Sequence, residues 1–111
     1  MFSRNLPETL CTTAHLLHGK GAARIFAFCT HGLFSGSAAQ LINDSPLDEL
    51  IVSNSVPIKP EFRAACKKVK QLSVGRLLAE VMLSVHQGLS VEDILRPENA
   101  EHLSAGLGAA Q

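Results

Sequence analysis

Between Thr30 and Gly36 the chain reads Thr-His-Gly-Leu-Phe-Ser-Gly, where an imidazole, two hydroxyls and two glycines fall within seven residues. Such a loop suits an anion: backbone N–H groups and hydroxyls can donate to phosphate oxygens, and His31 can bind or polarise a phosphate ligand. The competing structural account is a loop histidine whose ring satisfies neighbouring polar groups, with Ser35 or Ser37 as an ordinary helix cap. The stretch is too short, and lacks the lysine, for a nucleotide-binding Gly-x-x-x-x-Gly-Lys-Ser/Thr loop. Nor is it a nucleophile elbow, because Ser35 directly precedes Gly36 instead of standing two residues before it. His15 and His18 have a spacing that can share a metal on a helix, but no third ligand stands nearby, and a solvated pair explains them better. The acidic pairs Asp48-Glu49 and Glu92-Asp93 read as solvated caps. No catalytic residue and no metal ligand is assigned.

The elements that position this loop follow from hydrophobic periodicity. Ile25 to Cys29 is a continuous apolar run, the pattern of a strand covered on both faces as in parallel sheets, whose ligands gather beyond the strands' carboxyl ends. On this reading Phe26 and Phe28 pack in the core. A helix is expected from Glu8 to Lys20, with Leu10, Ala14 and Leu17 at helical spacing and Gly19 and Gly21 as its stop. The first strand is expected over 24–29. A second helix starts at Ser35 or Ser37 and runs to about Ile42, and the second strand is Leu50-Ile51-Val52. A loop at Pro57 to Pro60 and a variable stretch containing Phe62, given no element, lead to a third strand from Val69 to Val74. The last long helix begins near Gly75; its stripe of Leu77, Leu78, Val81, Met82 and Val85 is expected to close over the sheet. A short helix ending near Leu95 follows Ser90. Alternation of helix and strand predicts an α/β fold of three layers with a mainly parallel sheet.

The 111 residues fit one domain. It is expected over 1–96, with 97–111 a solvated, disordered tail. Ten basic and ten acidic residues balance, and the five aromatics, all Phe, lack an interleaved basic stripe, so no nucleic-acid partner is expected. Three widely spaced cysteines argue against a disulfide scaffold or a zinc site and for a reducing compartment. Without a membrane-spanning stretch or a signal peptide, a cytoplasmic location and no membrane partner are expected.

The apolar strand followed by Thr30-His31-Gly32, a large apolar residue and Phe34-Ser35-Gly36 resembles the corresponding stretch of ribose-phosphate pyrophosphokinases, or PRPP synthetases. The likeness continues through Thr9-Leu10-Cys11, Ala14 to Gly21, Leu47 to Pro57, Lys70 to Val74, Leu78-Ala79-Glu80 and His86 to Val91. It implies the C-terminal portion of such an enzyme, a partial type I phosphoribosyltransferase-like fold. The family transfers pyrophosphate from ATP, with Mg2+, to ribose 5-phosphate, in nucleotide biosynthesis. Its acidic sugar-phosphate loop, Asp-Asp-x-x-Asp-Thr-x-Gly-Thr, matches here only at Thr9: Glu8 replaces the glycine and the aspartates are absent. The resemblance implies Thr9, Thr30, His31, Gly32 and Ser35 as remnants of a substrate-binding edge. It also places Ser90 at the first serine of an allosteric phosphate site, whose second serine is replaced by Glu92. The family's catalytic His and Lys and its ATP-binding residues have no counterpart, so the chain alone is expected to bind neither Mg2+ nor ATP and to be inactive. Its expected partners are PRPP synthetase-like subunits, with ribose 5-phosphate as a residual ligand. The alternative is a non-catalytic synthetase-associated regulatory subunit; an unrelated small flavodoxin-like binding domain leaves the likeness unexplained.

Overall fold

The structure, a computed structural model, describes residues 6–96 and Glu98. The tail anticipated from Pro97 onward, Glu98 apart, and the segment from Ser3 to Asn5 lie outside the described residues. The chain divides into two compact units, residues 1–71 and 72–111.

In the first unit, α1 (Leu6–Gly19) leads to β1 (Phe26–Cys29), α2 (Ala38–Asp44), β2 (Glu49–Ser53), α3 (Pro60–Ala65) and β3 (Val69–Leu72). The strands form one parallel sheet in the order β1-β2-β3. Register pairs Phe26 with Glu49, Ala27 with Leu50, Phe28 with Ile51 and Cys29 with Val52. The alternating side-chain directions of strands therefore put Ala27, Cys29, Leu50 and Val52 on one face and Phe26, Phe28 and Ile51 on the other. Against the first face packs a core of Cys11 from α1, Ile42 from α2, Leu50 and Val52 from β2, and Cys66, with Phe62 of α3 and Phe34 at its rim. The α/β class with a parallel sheet is thus the observed one.

Local chemistry accounts for the boundaries. Gly21, at φ +94°, ends α1 in a Schellman motif: its N–H donates to His18 O and that of Ala22 to Leu17 O. The carbonyls at the end of α2 are met by Lys68, whose Nζ donates to Asn43 O at 2.9 Å and Ser45 O at 2.8 Å. Asp48 is more than a solvated acid. Its Oδ2 accepts from Ile25 N at 2.7 Å and its N–H donates to Ile25 O at 2.9 Å, which fixes where β1 meets β2. Glu49 pairs with Lys70 of β3 at 2.7 Å, an exposed contact of small energetic weight.

The stretch containing Phe62, given no element from the sequence, forms α3, with Pro60 in its first turn. The third strand stops at Leu72, two residues short of the expected end; Ser37, one of the two expected cap positions, stands at the N-cap of α2, but its hydroxyl makes no capping bond.

Burial differs most at β1. Phe26 and Phe28 are not core residues: they are 43% and 71% exposed. The continuous apolar run correctly marks a strand, and within this unit it is the Ala27 and Cys29 side that packs against the helices. Arg24 partly shields Phe26, its guanidinium carbon lying 4.7 Å from the ring centroid.

The second unit carries α4 (Gly75–Gln87) and a single turn of 3-10 helix at Glu92–Leu95. Gly88, at φ +68°, closes α4 with the same motif as α1: its N–H donates to Val85 O and that of Leu89 to Ser84 O. No residue of α4 is buried, and Leu78, Met82 and Val85 are more than half exposed.

Candidate functional site at the strand ends

The loop leaving β1 and the turn leaving β2 meet at the carboxyl end of the sheet. Ser53 Oγ donates to Thr30 O, and Ser55 Oγ donates to the same carbonyl at 3.0 Å. The Ser55 N–H donates to Ser53 Oγ at 3.2 Å, and His31 Nδ1 lies 2.7 Å from Ser55 Oγ. Ser53 Oγ also donates toward Ser55 Oγ at 2.9 Å, so the two hydroxyls, the Thr30 carbonyl and the His31 ring form one connected set in which Nδ1 donates or accepts according to the ring's tautomer.

Two further layers hold this cluster. Gln71 Nε2 donates to Val56 O at 3.2 Å, while Arg63 Nη2 donates to Gln71 Oε1 at 2.8 Å, linking α3 and β3 to the turn after Ser53. On the other side, Phe34 stacks on Phe62 with ring centroids 4.3 Å apart and planes 3° from parallel. Gly32 is buried beneath that ring. A Cβ there would lie 2.9 Å from Phe34 Cε2 and 3.3 Å from Val52 Cγ2, so glycine is demanded by close approach.

Cys29, at the last position of β1, has its thiol pushed above the ordinary value of 9.0 by burial. It therefore stays protonated at neutral pH and is no nucleophile. A raised pKa in the folded chain means that the unfolded chain loses this proton first as pH rises. The contribution to stability is complete below pH 9.0 and is lost as pH climbs through the folded value. Alkaline unfolding monitored by circular dichroism should therefore begin later in Cys29→Ser than in the parent when each is compared with its own stability at pH 7.

Of the residues singled out in the sequence, Thr30, His31 and Gly32 come together here, and Ser35 follows on the same loop, exposed, its carbonyl accepting from Ala38 N at 3.2 Å. Thr9 stands apart, exposed in the first half of α1, where its carbonyl accepts from Thr13 Oγ1 at 2.9 Å. Ser90 is exposed in the second unit, between α4 and the 3-10 turn. Ser53 and Ser55 were not anticipated. Their alternation at the end of the second strand, directly beyond Val52, was the available signal.

The donors at the strand ends are hydroxyls, an imidazole and carbonyls. Magnesium bound to nucleotide phosphates is ordinarily held with the help of carboxylates, so this set does not fit a magnesium–nucleotide complex. It fits a small hydroxylated or anionic ligand. Among the described residues no three His, Cys, Asp or Glu side chains gather as a metal site, and no helix is long and apolar enough to cross a membrane.

The phosphoribosyl synthetase-associated domain family matches residues 5–96. A ribose-phosphate pyrophosphokinase of Ralstonia nicotianae is 42% identical over 83 residues, which cover 75% of this chain and 26% of that protein. One from Coxiella burnetii is 42% identical over 86 residues, covering 78% of this chain and 27% of its own. Among solved structures, the phosphoribosylpyrophosphate synthetase of Mycobacterium smegmatis superposes with a TM-score of 0.64 at 30% identity, over 72% of this chain and 26% of that one. The chain spans about a quarter of the length of these curated relatives. On a match that takes in the helices, the sheet and the loop beyond β1, the chain belongs to the phosphoribosyl synthetase-associated domain family of the ribose-phosphate pyrophosphokinases.

Proposed function

We propose that this chain is the C-terminal segment of a ribose-phosphate diphosphokinase architecture and is catalytically silent by itself. In the whole enzyme the reaction is pyrophosphate transfer from MgATP to the 1-hydroxyl of ribose 5-phosphate. The observation that carries the reading is the combination of a match over residues 5–96 with coverage of only a quarter of the relatives. In-line phosphoryl-type transfer depends on positioning nucleotide, metal and acceptor together. The donors at the strand ends can hold at most one of the three.

In this role Thr30, His31, Gly32 and Ser35 form a residual edge for the sugar phosphate, with Thr9 marking the end of the lost acidic loop. His31 contacts the ligand through its Nε2 edge while Ser55, 2.7 Å from Nδ1, orients the ring. Ser90 is the remnant of an effector phosphate site that Glu92 disfavours. The compartment is the cytoplasm and the partners are synthetase-like subunits. The test is a turnover assay with ATP, Mg2+ and ribose 5-phosphate, with a complete synthetase as positive control. No AMP above background is expected from this chain; sustained AMP formation refutes the reading.

A second reading, a non-catalytic subunit that joins synthetase oligomers, is favoured by one feature: Glu8 stands exposed in the first turn of α1, where the acidic loop's glycine is expected. Its carboxylate repels the phosphate that the glycine admits. Co-purification with a full-length synthetase under mild conditions supports this reading, and failure to co-purify counts against it.

A further inference from the structure

Gln71 of β3 has both polar atoms of its side chain committed to the strand-end cluster. Its Nε2 donates to Val56 O at 3.2 Å and, over a longer 3.5 Å, to Ser53 O, while its Oε1 accepts from Arg63 Nη2 at 2.8 Å. The amide has one workable orientation. A guanidinium only donates and a carbonyl only accepts, so Oε1 must face Arg63 and the N–H groups must face the turn. Ser53 O and Val56 O belong to the two ends of that turn, and Asn54 and Ser55 between them are exposed. One neutral amide therefore holds the turn at both ends, and Arg63 fixes which way the amide points.

The consequence falls on Ser55. Its hydroxyl stands 2.7 Å from His31 Nδ1 and donates to Thr30 O at 3.0 Å, so the place of the turn sets the place of the ring. Water competes for hydrogen bonds made by exposed hydroxyls, and their net contribution to order is small. Gln71 differs from them. It is half-buried on a strand whose pairing with β2 is anchored by Leu50 N–H donating to Lys68 O at 2.9 Å, and it offers the exposed turn a fixed point.

We propose that Gln71, oriented by Arg63, is a positioning residue for the ligand edge: acting through Ser55, it holds the His31 ring in the pose that meets a sugar phosphate. The inference rests on the reading of Thr30 to Ser35 as the remnant of a sugar-phosphate site and adds to it a residue from a strand that does not carry the loop. The test compares the full chain with Gln71→Met, which keeps the side chain's length, adds no charge and removes both the donors and the acceptor. Proton–nitrogen NMR spectra of the His31 ring should change in Gln71→Met toward those of Ser55→Ala, with an unchanged circular dichroism spectrum. Arg63→Met, at an exposed position, frees the amide to turn and should move the ring signals the same way. Isothermal titration with ribose 5-phosphate should show affinity falling about threefold to tenfold in Gln71→Met, the scale of one lost hydrogen bond. The double variant Gln71→Met with Ser55→Ala should bind no more weakly than Ser55→Ala alone, because both substitutions remove the same support. A purely structural role would lower stability, leave the ring signals of the folded chain in place and give losses that add. Ring signals that match the parent's in Gln71→Met or Arg63→Met overturn the proposal, as does additivity in the double variant. A chain whose ring responds to Gln71→Met but which binds no ribose 5-phosphate supports the brace and refutes the sugar-phosphate reading alone.

Discussion

Leu50→Ala should cost about 2–5 kcal/mol, the ordinary range for a leucine truncated in a packed core. Leu50 is fully buried at the centre of β2, between Ile42, Val52 and Cys66 and beneath the helices α1 to α3. The central strand of a three-stranded sheet cannot move toward the vacated volume without breaking its pairing on one side. Relaxation is therefore poor and the upper half of the range is expected. Stabilities of small domains are themselves of order 5–15 kcal/mol, so the variant should be substantially unfolded well before the parent in a urea titration followed by circular dichroism. A midpoint unchanged from the parent would mean that the sheet and its helices are not held by this core.

Gly32→Ala is the second large effect. The new Cβ meets the Phe34 ring at 2.9 Å and the Val52 side chain at 3.3 Å. An isolated phenyl ring could swing aside cheaply, but this one is stacked on Phe62, so relief comes only by opening that stack or moving β2. Overpacking of this kind typically costs about 1–3 kcal/mol. The expected signature is loss of stability together with altered ring resonances of both Phe34 and Phe62 in NMR spectra. The backbone at Gly32 is not in the left-handed region, so a side chain, and not the φ angle, is responsible. An alanine variant with the parent's stability and unchanged ring shifts would contradict the argument and with it the claim that the loop is braced against the core.

How far the sequence revealed these features follows from what each signal physically reports. The Ile25 to Cys29 run and the Thr30 to Gly36 punctuation located a strand and the loop at its carboxyl end, because apolar continuity and glycine spacing are local properties. The glycine stops of α1 and the start of α4 were legible for the same reason. Burial was less so. An apolar run marks residues suited to cover on both sides, not the presence of that cover, and Phe26 and Phe28 are exposed. The helix α3 has only six residues, too few for a periodic signal, and its one cue was Pro60 followed by Glu61. At the site, His31 and Gly32 were recognised for their types, but the reason for Gly32 lies in the Phe34 and Phe62 stack, a contact across 28 positions that no local pattern encodes. Ser53 and Ser55 escaped notice because their role depends on the register that brings the end of β2 beside Thr30.

The most direct measurement of whether this quarter-length chain retains part of a sugar-phosphate site without catalytic capacity is isothermal titration of the folded protein with ribose 5-phosphate and, separately, with MgATP. The account predicts weak heat of binding for ribose 5-phosphate, abolished in His31→Ala, and none for MgATP. Binding of MgATP, or ribose 5-phosphate binding that His31→Ala leaves untouched, would contradict it.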